Sequence, residues 1–378
     1  MKNCAQKEST SHITNGVTTQ SPLPMVSNKI APKNGHLLHH FFKDPRPFLQ
    51  KADVVYYISK MPKNQRQKIV VIVGPTASGK SDLSIFLARK FGGEIISADS
   101  RQVYRSMDIG TGKVTKKEQR SIKHHLLDVA NPKKTFTVSD FKKLSEKSVK
   151  KILDKNKIPF IVGGTGFYVD ALIKDLALPE VPPDKKLRTK LEKRTAKSLY
   201  EKLKKLDGRR AKVVDPQNKR RLIRALEIIK ATGKPVPPLK ESPKYEVSYI
   251  GIKPPKDTLE KRIKLRLEKR LRQGMIKEVN NLLRSGVSRK RLYEFGLEYR
   301  QISEYLASEK FKVKSAKNFK KSEYYQKLLQ EIVRYSKRQM TWFKRNKEIC
   351  WLIPSKAEGV QKEAEKLIQD FFQFPRGV

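Results

Sequence analysis

The chain has 378 residues, enough for two domains, and its 84 lysines and arginines outnumber 38 acidic residues to leave a formal charge of +46. Such an excess points to a polyanionic partner, nucleic acid first, although lysine is spread so widely that a basic surface without such a partner is the rival explanation. Two distant cysteines, Cys4 and Cys350, exclude a disulfide framework and a zinc site, and no apolar run approaches the ~20 residues that span a bilayer. A reducing, cytoplasmic location without membrane attachment is expected.

Residues 1–66 are polar and aperiodic, punctuated by Pro22, Pro24, Pro32, Pro45, Pro47 and Pro62. They read as a flexible extension, with a short helix around Phe48–Ser59. From Lys68 the texture changes. Lys68–Val73 is short, apolar and β-branched, the pattern of a buried parallel strand, and Ser81–Phe91 has helical apolar spacing. Between them lies GPTASGKS, from Gly74 through Pro75, Thr76, Ala77, Ser78, Gly79 and Lys80 to Ser81. This is a phosphate-binding loop in its proper context: glycines turn amides inward, Lys80 supplies charge, Ser81 can ligate Mg²⁺, and the helix end adds partial positive charge.

Strand Glu94–Ser97, a polar segment to Lys123, helix Val138–Asn156 and strand Ile158–Val162 follow. Alternation of this kind predicts an α/β fold, a parallel sheet flanked by helices, with ligands beyond the carboxyl ends of the strands. The loop at Gly74–Ser81, Asp99 and the turn Gly163–Thr165 should therefore converge. After a proline-rich break at Leu178–Pro183 helices dominate: Lys185–Lys205, Lys219–Thr232, Thr258–Ser285 and Ser322–Arg345. The alternating strand Val247–Ile252 should return to the sheet, which makes 178–245 a helical insertion between a 67–177 core and a returning 246–353 segment, with 354–378 as a tail or helix.

Several groups carry chemistry. Asp99 in SADSRQVYR can take a proton or hold a Mg²⁺ shell, with a turn cap as the competing role. Thr165 in VGGTGFY offers a hydroxyl to phosphate. The histidines of HHLLD, being adjacent, point apart and make poor joint metal ligands. RRLIRALE sets Arg220 and Arg224 on one helix face, and Arg262, Arg266 and Arg270 share another. A single arginine there could reach a diphosphate, although charged runs are commonly solvated faces. FGLEYRQ and KRQMTW mix cations with aromatic rings, which suits RNA backbone contact and base stacking.

Together GPTASGKS, SADSRQVYR, DIGTGK, HHLLD, VGGTGFY, RRLIRALE, FGLEYR and KRQMTW resemble, in order, the bacterial tRNA dimethylallyltransferases (tRNA isopentenyltransferases), over Lys68 to Trp351. The resemblance implies a P-loop NTPase-like sheet with basic tRNA-binding helices. It implies transfer of a dimethylallyl group from dimethylallyl diphosphate to N6 of adenosine 37 beside the anticodon, with Mg²⁺, by a monomer. Position by position it implies Asp99 as general base, Gly74–Ser81 as diphosphate cradle with Lys80, Thr165 as loop threonine and Arg266 as diphosphate-binding arginine. RNA contacts would fall on Asp99, Ser100, Arg101, Gln102, Arg220, Arg221, Arg224, Phe295, Gly296, Tyr299, Arg300, Lys337, Arg338 and Gln339. Arg101 stands where the family commonly has a small or apolar residue, and Val333 where it often has arginine. The residues alone also admit a P-loop small-molecule kinase, a prenyltransferase of free adenine nucleotide, and a non-catalytic RNA binder.

Overall fold

The computed structural model describes residues 67–310, 313–354 and 357–373. The expected leader and its Phe48–Ser59 helix lie outside them. Six strands form one wholly parallel sheet: β1 (Gln67–Val73), β2 (Glu94–Ser97), β3 (His124–His125), β4 (Pro159–Gly163), β5 (Tyr245–Ile252) and β6 (Cys350–Leu352), in the order β3-β2-β4-β1-β5-β6. In register, Val73 pairs with Gly163 and Ser97 with Val162, so β1, β4 and β2 end at nearly the same level. The loops leaving those three ends therefore open onto one space, as the strand–helix alternation predicts.

The side-chain period of two sorts β1 between two cores. Val70 and Ile72 face α1 (Lys80–Lys90) and a late helix, Ala357–Phe372, which supplies Val360, Ala364 and Ile368. Ile69, Val71 and Val73 face α3 (Val138–Leu153) and α4 (Gly166–Ile173), where Phe141 stacks on Tyr168 at 4.2 Å. A short helix, α2 (Lys116–Ser121), is closed by a Thr115–Glu118 capping box.

The expected helix Lys185–Lys205 is two, α5 (Lys185–Glu192) and α6 (Ala196–Leu206), because Thr195 caps the second with its hydroxyl on the amide of Ser198. With α7 (Gly208–Val213) and α8 (Lys219–Thr232) they close a separate core of Leu191, Leu199, Leu203, Leu222 and Leu226. Its two connections run side by side: Ala177 donates to the Lys240 carbonyl and Ser242 to the Lys174 carbonyl.

The expected helix Thr258–Ser285 also breaks, into α9 (Lys256–Arg272) and α10 (Met275–Arg284), at Gly274 with φ 98°. These pack with α11 (Arg289–Phe295), α12 (Leu297–Ala307), α13 (Ala316–Lys321) and the long α14 (Glu323–Phe343) around Leu267, Met275, Tyr299, Tyr305 and Phe319. The last helix, Ala357–Phe372, is α15.

Candidate active site

A cavity of about 370 Å³ lies beyond the carboxyl ends of β1, β4 and β2. Thr76, Lys80 and Ser81 form one wall, Asp99–Gln102 the floor, Arg266 and Arg270 of α9 a second wall, and Tyr335, Arg338 and Gln339 of α14 a third. Arg220 of the inserted helices, and Tyr293 and Arg300 from α11 and α12, complete the rim.

The phosphate loop is bent by local torsions. Gly74 sits at φ 152°, Ala77 at 62° and Gly79 at 96°. A Cβ on Gly74 would stand 2.8 Å from the Ile252 carbonyl oxygen, so the loop rests directly on the end of β5. Lys80 Nζ donates to the Pro75 carbonyl at 3.0 Å, which holds the ammonium over its own loop. Burial, reinforced by Arg266 and only partly offset by Asp99, lowers Lys80 to about 8. Arg266 donates to Thr76 Oγ1 (3.2 Å) and to the Gly112 carbonyl (3.3 Å), and burial with the charge of Arg270 lowers it to about 10. Arg270 donates to the Gly110 carbonyl (3.2 Å) and pairs with Glu298 at 3.0 Å. Burial still holds the Glu298 carboxyl above the usual range. Cations that burial and mutual repulsion push toward losing their protons form a site short of negative charge, which an anionic ligand would supply.

Asp99 is half-buried past the end of β2. Its Oδ1 accepts from the amides of Arg101 (2.8 Å) and Gln102 (3.4 Å), so the turn-capping role is real. That same turn holds the carboxylate toward the cavity, where it counts in the electrostatics of Lys80 and Arg266. Capping is compatible with chemistry because it engages one oxygen. Thr165 Oγ1 accepts from the Ser100 amide at 3.0 Å and ties the β4 turn to the Asp99 loop. Gln102 spans Ser97 Oγ and the Gly112 carbonyl. Arg101 donates from Nε to the Phe295 carbonyl at 2.9 Å, so this position fastens the floor to the α11–α12 corner.

Several residues expected to contact RNA also make structural contacts within the protein. Gln339 is buried, and its carboxamide accepts from the Thr76 amide (2.9 Å) while donating to the Gly164 carbonyl (2.9 Å); it clamps the phosphate loop to the β4 turn. Phe295 and Tyr299 are buried core residues, and the Tyr299 hydroxyl donates to Glu278 at 2.9 Å. Arg224 turns inward to Glu227 (2.6 Å) and to the carbonyls of Val181 and Pro179. Glu227, 1% exposed, also takes Arg188 and the Asp184 amide, so Arg224 belongs to the neck of the inserted helices. Helix periodicity places Arg220 and Arg224 on one face, but only burial separates the exposed Arg220 at the cavity rim from its inward neighbour. Arg221, Lys337 and Arg338 are exposed; Arg338 lies 5.7 Å over the Tyr335 ring. Gly296 (φ 74°) joins α11 to α12 at the rim, and Arg300 pairs with Glu331 at 2.5 Å. Val333 packs against the helical core.

The histidines part as expected. His124 lines the cavity with Nδ1 against the Ile122 carbonyl (2.8 Å), whereas His125 Nε2 meets buried Glu94 at 2.7 Å. Desolvation opposes ionisation of Glu94, but hydrogen bonds from Lys157 and His125 outweigh it and hold the carboxyl at about 2. Lys113 of DIGTGK is buried on Asp108 and Asp128, both at 2.6 Å, which fastens that loop to HHLLD. Sequence reading passed over Glu278. Two residues before the basic pair Lys337–Arg338, Tyr335 was legible as an aromatic among cations; Glu278, one carboxylate on a charged helix, carried no such signal.

A parallel sheet with a phosphate loop after its first strand and a cationic cavity at the strand ends defines the P-loop class of α/β proteins. The comparisons narrow this. The model of the IPP transferase family matches residues 102–346. The tRNA dimethylallyltransferase of Pelotomaculum thermopropionicum is 39% identical over 297 residues, covering 77% of this chain and 92% of that protein. That of Alkaliphilus oremlandii is 35% identical, covering 81% and 97%. Among solved structures, the tRNA isopentenylpyrophosphate transferase of Bacillus halodurans superposes with a TM-score of 0.59 at 34% identity, over 82% of this chain and 97% of that one. A eukaryotic dimethylallyltransferase acting on tRNA shares the fold at 24% identity, with a TM-score of 0.67 over 80% of this chain and 78% of its own. The chain belongs to the IPP transferase family.

Proposed function

We propose that this chain transfers a dimethylallyl group from dimethylallyl diphosphate to N6 of adenosine 37, beside the anticodon of a tRNA, releasing diphosphate. One observation carries the reading: a cationic phosphate cradle (Gly74–Ser81, Arg266) and a carboxylate, Asp99, face each other in one cavity whose rim is basic. The exocyclic amine of adenine is a weak nucleophile, so most of the barrier lies in expelling diphosphate from the allylic carbon. Donors aimed at the departing group stabilise charge that grows in the transition state. Lys80, Arg266 and the loop amides are such donors, and Thr165 holds the β4 turn beside them. Asp99 accepts the proton from N6 as the new C–N bond forms.

The Ser81 hydroxyl at the cavity wall, with Asp99 across from it, suits Mg²⁺, which takes few protein ligands and leans on substrate phosphates. When bound it would neutralise charge on the diphosphate. The adenine must leave its stack to reach this depth, and the inserted helices with Arg220, together with Lys337 and Arg338, are placed to hold the anticodon stem-loop around it. We read the protein as a cytoplasmic monomer; among the described residues no helix is long and apolar enough to cross a membrane. The deciding experiment is mass spectrometry of tRNA nucleosides after incubation with dimethylallyl diphosphate and Mg²⁺. N6-dimethylallyladenosine is expected, and its absence alongside consumption of ATP would replace this reading with that of a kinase.

A further inference from the structure

Glu278 of α10 does not line the cavity, yet its carboxylate accepts four hydrogen bonds. The amides of Asp108 (2.9 Å) and Ile109 (2.7 Å) meet Oε2; the Gly110 amide and the Tyr299 hydroxyl, both at 2.9 Å, meet Oε1. Three successive amides aimed at one anion form a nest, and the nest fixes the backbone that makes it. Fixed so, the loop turns its carbonyls toward α9. Gly110 receives Arg270 and Gly112 receives Arg266. Gly112 holds φ 61°, and a Cβ there would collide with both guanidinium groups, so loop backbone and arginines are in direct contact. Two adjacent guanidinium groups repel one another, and the carbonyl dipoles, with Glu298 on Arg270 and Thr76 on Arg266, keep them side by side.

We infer that Glu278 is a positioning residue for the diphosphate-side arginines: it pins the Asp108–Gly112 loop, whose carbonyls hold Arg266 and Arg270 beside the phosphate loop. The inference rests on the reading of Arg266 as a diphosphate donor. Its test uses the full chain with Glu278→Gln, Tyr299→Phe, Arg266→Ala and the double variant Glu278→Gln/Arg266→Ala. The readouts are KM for dimethylallyl diphosphate, KM for tRNA, kcat and the melting temperature. Glutamine keeps the volume and one acceptor oxygen but loses the charge and the second acceptor. Glu278→Gln is expected to raise the diphosphate KM about tenfold, with the tRNA KM within about twofold of the parent. Tyr299→Phe moves the diphosphate KM the same way by a smaller factor, and it decides the matter if Glu278→Gln fails to fold. In the Arg266→Ala background Glu278→Gln adds less than about twofold, because the group it positions is gone. A merely structural role would lower the melting temperature and multiply both KM values independently of Arg266. An unchanged diphosphate KM in both single variants, or a full effect persisting without Arg266, overturns the inference. An unchanged diphosphate KM in Arg266→Ala alone sinks the Arg266 assignment, and this inference with it.

Discussion

Lys80 offers the sharpest handle on the site. Burial, then Arg266, bring it from 10.5 to about 8. Below that pH the free site presents an ammonium to diphosphate; above it, a neutral amine. The protonated fraction is about nine-tenths at pH 7 and about one-tenth at pH 9, so affinity for dimethylallyl diphosphate should fall about tenfold across that window from this group alone. Bound diphosphate restores charge to Lys80, so binding between pH 8 and 9 should be accompanied by proton uptake. The free protein should behave oppositely. Between about 8 and 10.5 the unfolded chain binds more protons at this lysine than the folded one, so its contribution to stability rises with pH there. Titration calorimetry with dimethylallyl diphosphate and Mg²⁺, without tRNA, in buffers of different ionisation enthalpy, reads affinity and proton uptake together. Lys80→Met should bind weakly at every pH and lose the slope. A slope that survives in Lys80→Met would refute the assignment, because some other group would then be titrating.

Three further outcomes follow from the geometry. Asp99→Ala should abolish prenyl transfer, measured by nucleoside mass spectrometry, while tRNA affinity in a filter-binding assay stays near the parent; near-normal turnover would sink the general-base role. Arg224→Ala should destabilise the protein by on the order of 2 kcal/mol in urea unfolding, because buried Glu227 loses a charged partner, whereas Arg220→Ala should leave stability intact and weaken tRNA binding with a shallower salt dependence. Gln339→Ala should cut kcat more than it weakens tRNA binding, since the residue clamps Thr76 to Gly164; a change confined to tRNA affinity would return it to the RNA-contacting group.

Local signals carried the core of the fold. β1 and α1 were legible because period-two and helical spacing lie within one short window, and the phosphate loop between them declares itself through Gly74 and Gly79. The edge strands β3 and β6 were not, since two and three residues are too short for any period to register. The breaks at Thr195 and Gly274 were missed because apolar spacing resumes on the far side of each. Among candidate site residues, Asp99 and Thr165 were singled out from their places just after strand ends. The bracing contacts of Gln339 and Tyr299 were not legible, because polar and aromatic residues beside cations read alike whether they face RNA or brace a loop.

What the sequence by itself determined is the chemistry available: a phosphate loop in strand–helix context, a carboxylate at a neighbouring strand end, and a basic helical half, all set by torsions and spacings that short windows contain. What only the tertiary structure decided is which of many cations does what. Arg266 reaches Thr76 across 190 residues of chain and Gln339 reaches Thr76 across 263, while Arg224, four residues from Arg220, turns to a buried carboxylate instead of the cavity. A long charged side chain takes its role from the partners within its reach and from the solvent it loses. In this molecule those are supplied by segments that meet only when the sheet and the α9–α14 helices close on one another.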